Sequence, residues 1–252
     1  MPDDMVRTEV SGHVLVVTMQ REAKRNAVDR AMADALDDAF NRLEDDDDLW
    51  VGVLSGSDRF FSAGSDLTAG GDYVTERGGE YGLVRRHRAK PLIAAVEGPA
   101  LGGGFELVLA CDLVVAGRTA RFGLPEVCIG VVAACGALFR APRQLPLNVA
   151  RQLVLTGDPL TAEDAYRLGL VNVMAEPGEA ASAALRLAER ICGNGPVAVR
   201  ASMAALESIV SADDEAGWAA TATAVERART SADAGEGVRA FLEKRPPVWA
   251  GR

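Results

Sequence analysis

Lysine is scarce in this chain: Lys24, Lys90 and Lys244 are the only three among 27 basic residues, and the rest are arginine. Acidic residues number 36, so the net charge is −9, which argues against a nucleic-acid scaffold because phosphate binding rests on basic surfaces. Histidine occurs twice, as His13 in a turn and His87 in Arg85-Arg86-His87-Arg88, both read as solvated surface residues. The four cysteines, Cys111, Cys128, Cys135 and Cys192, lack the CxxC spacing of zinc or redox sites and read as buried thiols in a reducing compartment. No apolar run reaches the roughly 18 residues of a membrane helix. The start, Met1-Pro2-Asp3-Asp4, lacks the basic and apolar regions of a signal peptide, so a soluble cytoplasmic protein is expected. Neither a GxGxxG turn at the glycine run nor a GxSxG elbow around Ser65 is present, which argues against dinucleotide binding and serine nucleophile chemistry.

What remains is an ordinary globular composition, 48% hydrophobic and 25% charged over 252 residues. Val6–Val10 and Val14–Met19 flank Ser11-Gly12-His13 as a hairpin. Asp29 caps a helix whose apolar face is Met32, Leu36, Phe40 and Leu43, and the acidic run Glu44–Asp48 ends it. Residues 50–54, 91–96 and 112–116 read as buried strands, and 68–80 as a mobile glycine-rich loop. A helix carrying Glu106 starts in the glycine run between two of those strands, and the recurring strand, turn, helix order predicts a parallel sheet covered on both faces. Thr161 caps a short helix stopped by Gly169, and Leu170–Val173 reads as a strand. The organisation expected is a βα core over 1–195 and a helical region over 196–252.

Two carboxylates stand out. Glu106 follows Gly98-Pro99-Ala100-Leu101-Gly102-Gly103-Gly104-Phe105, and Glu126 follows Arg121-Phe122-Gly123-Leu124-Pro125. Each lies in a largely apolar stretch, where an ionised group is costly without a partner or a use. The three glycines let backbone N–H groups approach a ligand, or equally let a helix pack tightly on a sheet. A second small-residue turn, Ser62-Ala63-Gly64-Ser65, offers another N–H near Ser65. Paired N–H donors stabilise the oxyanion of an enolate while carboxylates move protons.

Taken together, these segments resemble the crotonase (enoyl-CoA hydratase/isomerase) superfamily. The resemblance rests on Lys24-Arg25-Asn26-Ala27, on Phe61-Ser62-Ala63-Gly64-Ser65-Asp66-Leu67, on Ile93–Gly98 and on Leu101–Leu107. It continues through Ala110-Cys111-Asp112, Phe122–Glu126, Leu155-Thr156-Gly157, Ala165–Val171 and Phe241–Arg245, in the family's order over nearly the whole chain. It implies a crotonase-like spiral of ββα units, an α/β fold, with a C-terminal helical trimerisation region, and a homotrimer or dimer of trimers. It implies an enoyl-CoA hydratase of the kind used in fatty-acid β-oxidation, acting on an acyl-CoA thioester. No cofactor or metal is needed beyond coenzyme A (CoA), which enters with the substrate, and neither nucleic acid nor membrane is a partner. By position, Ser65 and Gly103 supply the oxyanion-hole N–H groups, Glu106 the base that activates water, and Glu126 the acid. Lys24, Arg25, Ala27, Ala63, Asp66 and Leu67 fall where the family binds substrate or CoA, and Phe241 and Lys244 where it reaches a neighbouring subunit's CoA. Loss of either backbone donor is expected to cost about 3 kcal/mol of barrier stabilisation.

Two departures concern the acyl group. Gly130–Leu138 lacks a proline and glycines often found there, and Ser65 replaces a frequent alanine. Within the family, a carnitinyl-CoA dehydratase uses the same glutamate pair, and isomerases often keep one of the two. A non-catalytic binding protein on the same fold is the alternative of another class.

Overall fold

The computed structural model describes residues 5–71, 73–231 and 233–251, so the acidic start at Met1–Asp4 lies outside the described residues. An antiparallel hairpin opens the chain, with β1 (Val6–Ser11) exposed and β2 (Val14–Met19) largely buried. Helix α1 (Arg30–Asp45) follows, its start capped by the Asp29 carboxylate, which accepts the Met32 N–H at 3.0 Å. Its end is closed by Lys90, whose buried Nζ donates to the carbonyls of Leu43 and Asp46 at 2.7 Å each. A cation there satisfies free carbonyls and complements the negative helix end. The chain continues through β3 (Val51–Ser55), the short pair β4 (Val74–Thr75) and β5 (Gly79–Glu80), then β6 (Leu92–Val96) and β7 (Pro99–Leu101). Helix α2 (Gly103–Leu109), β8 (Leu113–Gly117) and β9 (Arg121–Gly123) lead into a 3-10 turn over Pro125–Ile129. Beyond it lie α3 (Ala137–Gln144), α4 (Leu147–Thr156), β10 (Leu160–Thr161), α5 (Ala162–Arg167), β11 (Val173–Ala175) and α6 (Ala180–Cys192). The remaining elements are helices: α7 (Pro196–Val210), α8 (Asp214–Arg229) and α9 (Asp233–Glu243).

The main sheet has the order β1-β2-β3-β6-β8-β11 and is parallel from β2 onward. A second sheet has the order β10-β9-β7, with β7 and β9 parallel. The chain steps from the first sheet to the second at β6–β7 and again at β8–β9, which makes the spiral of strand–strand–helix units. Alternation within the strands then fills both faces. Leu15, Val17, Leu54, Ala94 and Val96 join the α1 residues Met32, Leu36, Phe40 and Leu43 in the larger core. Val14, Val51, Val53, Ile93 and Val115 face the other way, against Ala180, Ala183, Ala184 and Ala188 of α6. Each such branched side chain contributes roughly 2 kcal/mol by leaving water.

Some elements differ from the sequence reading. The last strand begins at Val173 rather than Leu170, because the N–H groups of Leu170 and Val171 turn back to the Ala165 carbonyl at the end of α5, while Asn172 meets Val114 through both its N–H and its Oδ1. The 68–80 segment contains the β4–β5 pair. Arg85–Arg88 is not a solvated helix face. It follows a turn, with Arg86 buried against Asp37 and Asn41 and Arg88 paired with Asp112. Cys111 and Cys135 are buried as expected, but Cys128 is exposed and Cys192 half-buried. Among the described residues no helix is long and apolar enough to cross a membrane.

Candidate active site

The site forms where α2 starts against the Ser62–Ser65 turn. Gly102 takes φ +55°, the left-handed side that glycine tolerates, and its N–H donates to the Gly123 carbonyl at 2.9 Å. A Cβ on Gly103 would lie 2.1 Å from the Tyr81 hydroxyl, so this position admits no side chain. The facing turn is held by Asn26, fully buried and itself at φ +52°. Its Nδ2 donates to the carbonyls of Phe60 and Phe61 at 3.0 Å, its Oδ1 accepts the Arg21 N–H, and its carbonyl accepts the Ser62 hydroxyl. The two turns touch, since a Cβ on Gly64 would come 2.7 Å from the Gly103 nitrogen. Among the described residues, neither the Ser65 nor the Gly103 N–H donates a hydrogen bond. Two backbone donors are therefore available side by side.

Both glutamates line the same cleft, which encloses about 810 Å³. Glu106 is buried, and its Oε1 accepts N–H bonds from Cys135 at 2.7 Å and Ala137 at 3.0 Å. Burial pushes its carboxyl up to about 7 against the pull of those two donors. Glu126 lies in the 3-10 turn, with its Oε2 enclosed and unpartnered among the described residues. Burial, then the Glu106 charge, push it up to about 8. Hydrogen bonds to an ionised carboxylate favour it, so the two N–H donors favour charge on Glu106, whereas the enclosed Glu126 oxygen has no donor to do the same.

The other sequence candidates divide. Arg25, Ala63, Ser65, Asp66, Leu67, Gly103 and Phe241 line the cleft with the two glutamates, whereas Lys24, Ala27 and Lys244 do not. Asp66 is taken up internally: it pairs with Arg21 at 2.9 Å and Lys24 at 3.8 Å, and it accepts from Thr68. The Thr68 hydroxyl first, helped by Arg21 and Lys24, holds its carboxyl below the usual range. Ala27 is buried and its carbonyl accepts from Arg21. Phe241 sits on this chain's own cleft, because α9 packs on the 125–129 turn. A Cβ on Gly237 would meet the Ile129 carbonyl at 2.1 Å. Residues not singled out from the sequence also form the wall, chiefly Tyr73, Tyr81 and Cys135. Asn26 was visible inside Lys24-Arg25-Asn26-Ala27 without its bracing role, whereas Tyr81 carries no local signal.

The chain matches the enoyl-CoA hydratase/isomerase family model over residues 9–252. It is 39% identical to enoyl-CoA hydratase EchA19 of Mycobacterium tuberculosis, covering 100% of this chain and 97% of that protein. Against the carnitinyl-CoA dehydratase of Salmonella paratyphi A the identity is 37%, over 96% and 97% of the two chains. The crystal structure of a carnitinyl-CoA hydratase from Mycobacterium avium superposes with a TM-score of 0.94 at 43% identity, covering 99% of both chains. With that agreement of sequence and crotonase fold, the chain belongs to the enoyl-CoA hydratase/isomerase family.

Proposed function

We propose that the protein is an enoyl-CoA hydratase-type hydro-lyase, adding water to a 2-enoyl-CoA thioester or removing it from the β-hydroxyacyl product. The observation that carries this reading is the pair of unspent N–H groups at Ser65 and Gly103, beside two glutamates with raised proton affinity. The thioester oxygen accepts both N–H bonds, and negative charge developing on it in the enolate is stabilised there. Glu106, ionised first because Cys135 and Ala137 donate to it, takes a proton from water as the oxygen attacks the β-carbon. Glu126 returns a proton to the α-carbon. The reverse sequence is dehydration, the reaction named for relatives called carnitinyl-CoA dehydratase.

The exposed Lys24 ammonium and Arg25 at the cleft edge suit the phosphates of CoA, which arrives as part of the substrate. Self-assembly into trimers or a dimer of trimers is supported by α7, which has no buried side chain and leaves Val197, Leu206, Ile209 and Val210 exposed. A cytoplasmic place in fatty-acid metabolism is the corresponding cellular reading. Incubation with crotonyl-CoA and with carnitinyl-CoA tests the reaction. Turnover of either thioester is expected, and inertness toward both, and toward longer acyl-CoAs, would favour a non-catalytic binding protein.

A further inference from the structure

Tyr81 occupies the seam between the two turns that present the backbone donors. Its side chain is 1% exposed, and its hydroxyl lies 2.7 Å from the Ser65 Oγ. The same hydroxyl fills the space a Gly103 side chain would need. The ring is fixed from behind: Tyr81 takes φ +57°, its N–H donates to the Tyr73 carbonyl at 2.9 Å, and the two rings pack at 4.7 Å. One side chain thus bonds to the residue that offers the first N–H and abuts the residue that offers the second. Burial holds the phenol well above its usual pKa, so it remains a neutral hydroxyl.

We propose that Tyr81 is a positioning residue for the oxyanion hole: through its bond to Ser65 Oγ and its contact with Gly103 it sets the spacing of the two N–H donors. The inference rests on the thioester reading above. It assigns a use to the serine at position 65, because an alanine there has no hydroxyl for Tyr81 to hold. Removing either hydroxyl leaves both N–H groups in place but frees the Ser65 turn to drift, and small displacements of such donors are costly to rate.

The test is a double-mutant cycle of Tyr81→Phe and Ser65→Ala, both of which keep the chain's volume nearly unchanged. Each is expected to lower kcat about tenfold, less than the loss of a whole donor, with KM changed by less than about twofold. The double variant should be no slower than the slower single one. A second readout is the absorbance of bound 4-dimethylaminocinnamoyl-CoA, a push–pull thioester that shifts to longer wavelength as its carbonyl is polarised. Wild-type protein should shift it and both variants should shift it less. A full wild-type-sized shift and unchanged kcat in either variant overturn the Tyr81 role, as do losses that multiply in the double variant. No shift with the wild-type protein overturns the thioester reading itself. Should Tyr81→Phe not fold, Ser65→Ala alone decides, since its ring partner is untouched.

Discussion

Glu106 and Glu126 share one cleft and one side-chain chemistry, yet the regions that carry them are opposites. Glu106 belongs to α2, in which every residue from Gly103 to Leu109 is buried, and its oxygen takes two backbone N–H bonds. Glu126 belongs to a 3-10 turn with no fully buried residue, and its enclosed oxygen takes none. Burial raises both carboxyls, so burial alone does not assign their jobs. Donors do, because hydrogen bonds to the ionised form favour it. In the mechanism proposed above, the buried helix carries the base and the donor-poor turn carries the acid.

The strongest way to break that comparison is to neutralise each carboxyl in place. Glu106→Gln and Glu126→Gln should each lower hydration of crotonyl-CoA by on the order of 10³-fold, since positioned acids and bases contribute about that much. Titration calorimetry with a non-reactive CoA thioester should show binding nearly unchanged. Near-wild-type turnover in either variant would falsify the division of labour.

The pH dependence of kcat/KM sharpens the same contrast. The pair should titrate as a unit, so the apparent values belong to both groups together. Activity should rise with pH through about 7, as the pair loses its first proton, and fall through about 8, as it loses its second. A narrow bell between those limits is expected in initial rates of free enzyme. A profile flat from pH 6 to 9 contradicts the arrangement.

How much of this was legible without coordinates depends on how local each cause is. The apolar run at Leu92–Val96, the glycine run before Glu106 and the Asp29 cap are local, and each appears in the structure where it was expected. The placement of Glu106 and Glu126 on one cleft with Ser65 and Gly103 followed from the family's motif order. Tyr81 and Cys135 were not legible, because their meeting with Gly103 and Glu106 depends on how the 73–85 and 130–137 segments fold over α2. Helices α3 and α4 were also missed; Pro142 inside α3 argues locally against a helix and is overridden by packing against α2 and α8. The strand at 170–173 starts late for a similar reason, since Leu170 and Val171 are drawn back to the Ala165 carbonyl that ends α5.

Stability should carry a smaller trace of the two carboxyls. Both folded-state values lie above the usual 4.5, so the native protein binds protons more tightly than the unfolded chain. Their contribution is intact below about pH 4.5 and is lost as pH rises through about 7 and 8. Glu126→Gln should therefore raise the melting temperature at pH 9, on the order of 5 °C, and change it little at pH 4.5. Differential scanning calorimetry at the two pH values measures this. A gain at low pH only would reverse the sign and remove the claim that Glu126 is the costlier charge.

The smallest effect belongs to Lys24, which lies outside the cleft lining beside Asp66. Lys24 is half exposed and 3.8 Å from Asp66, which Arg21 already holds at 2.9 Å. A half-exposed ammonium 3.8 Å from a carboxylate that Arg21 already pairs adds little to stability, so Lys24→Ala should leave the melting temperature within about 1 °C. Its half-exposed ammonium is held only by that long pair and suits a phosphate, and its loss should raise KM for crotonyl-CoA about threefold at low salt with kcat unchanged. Added salt should shrink that difference, because screening weakens a surface charge and leaves the enclosed carboxyls nearly untouched. Salt-dependent KM in the wild type and salt-independent KM in the variant would separate recognition at Lys24 from chemistry at Glu106 and Glu126. A fall in kcat instead would place Lys24 in the chemical step and blur that boundary.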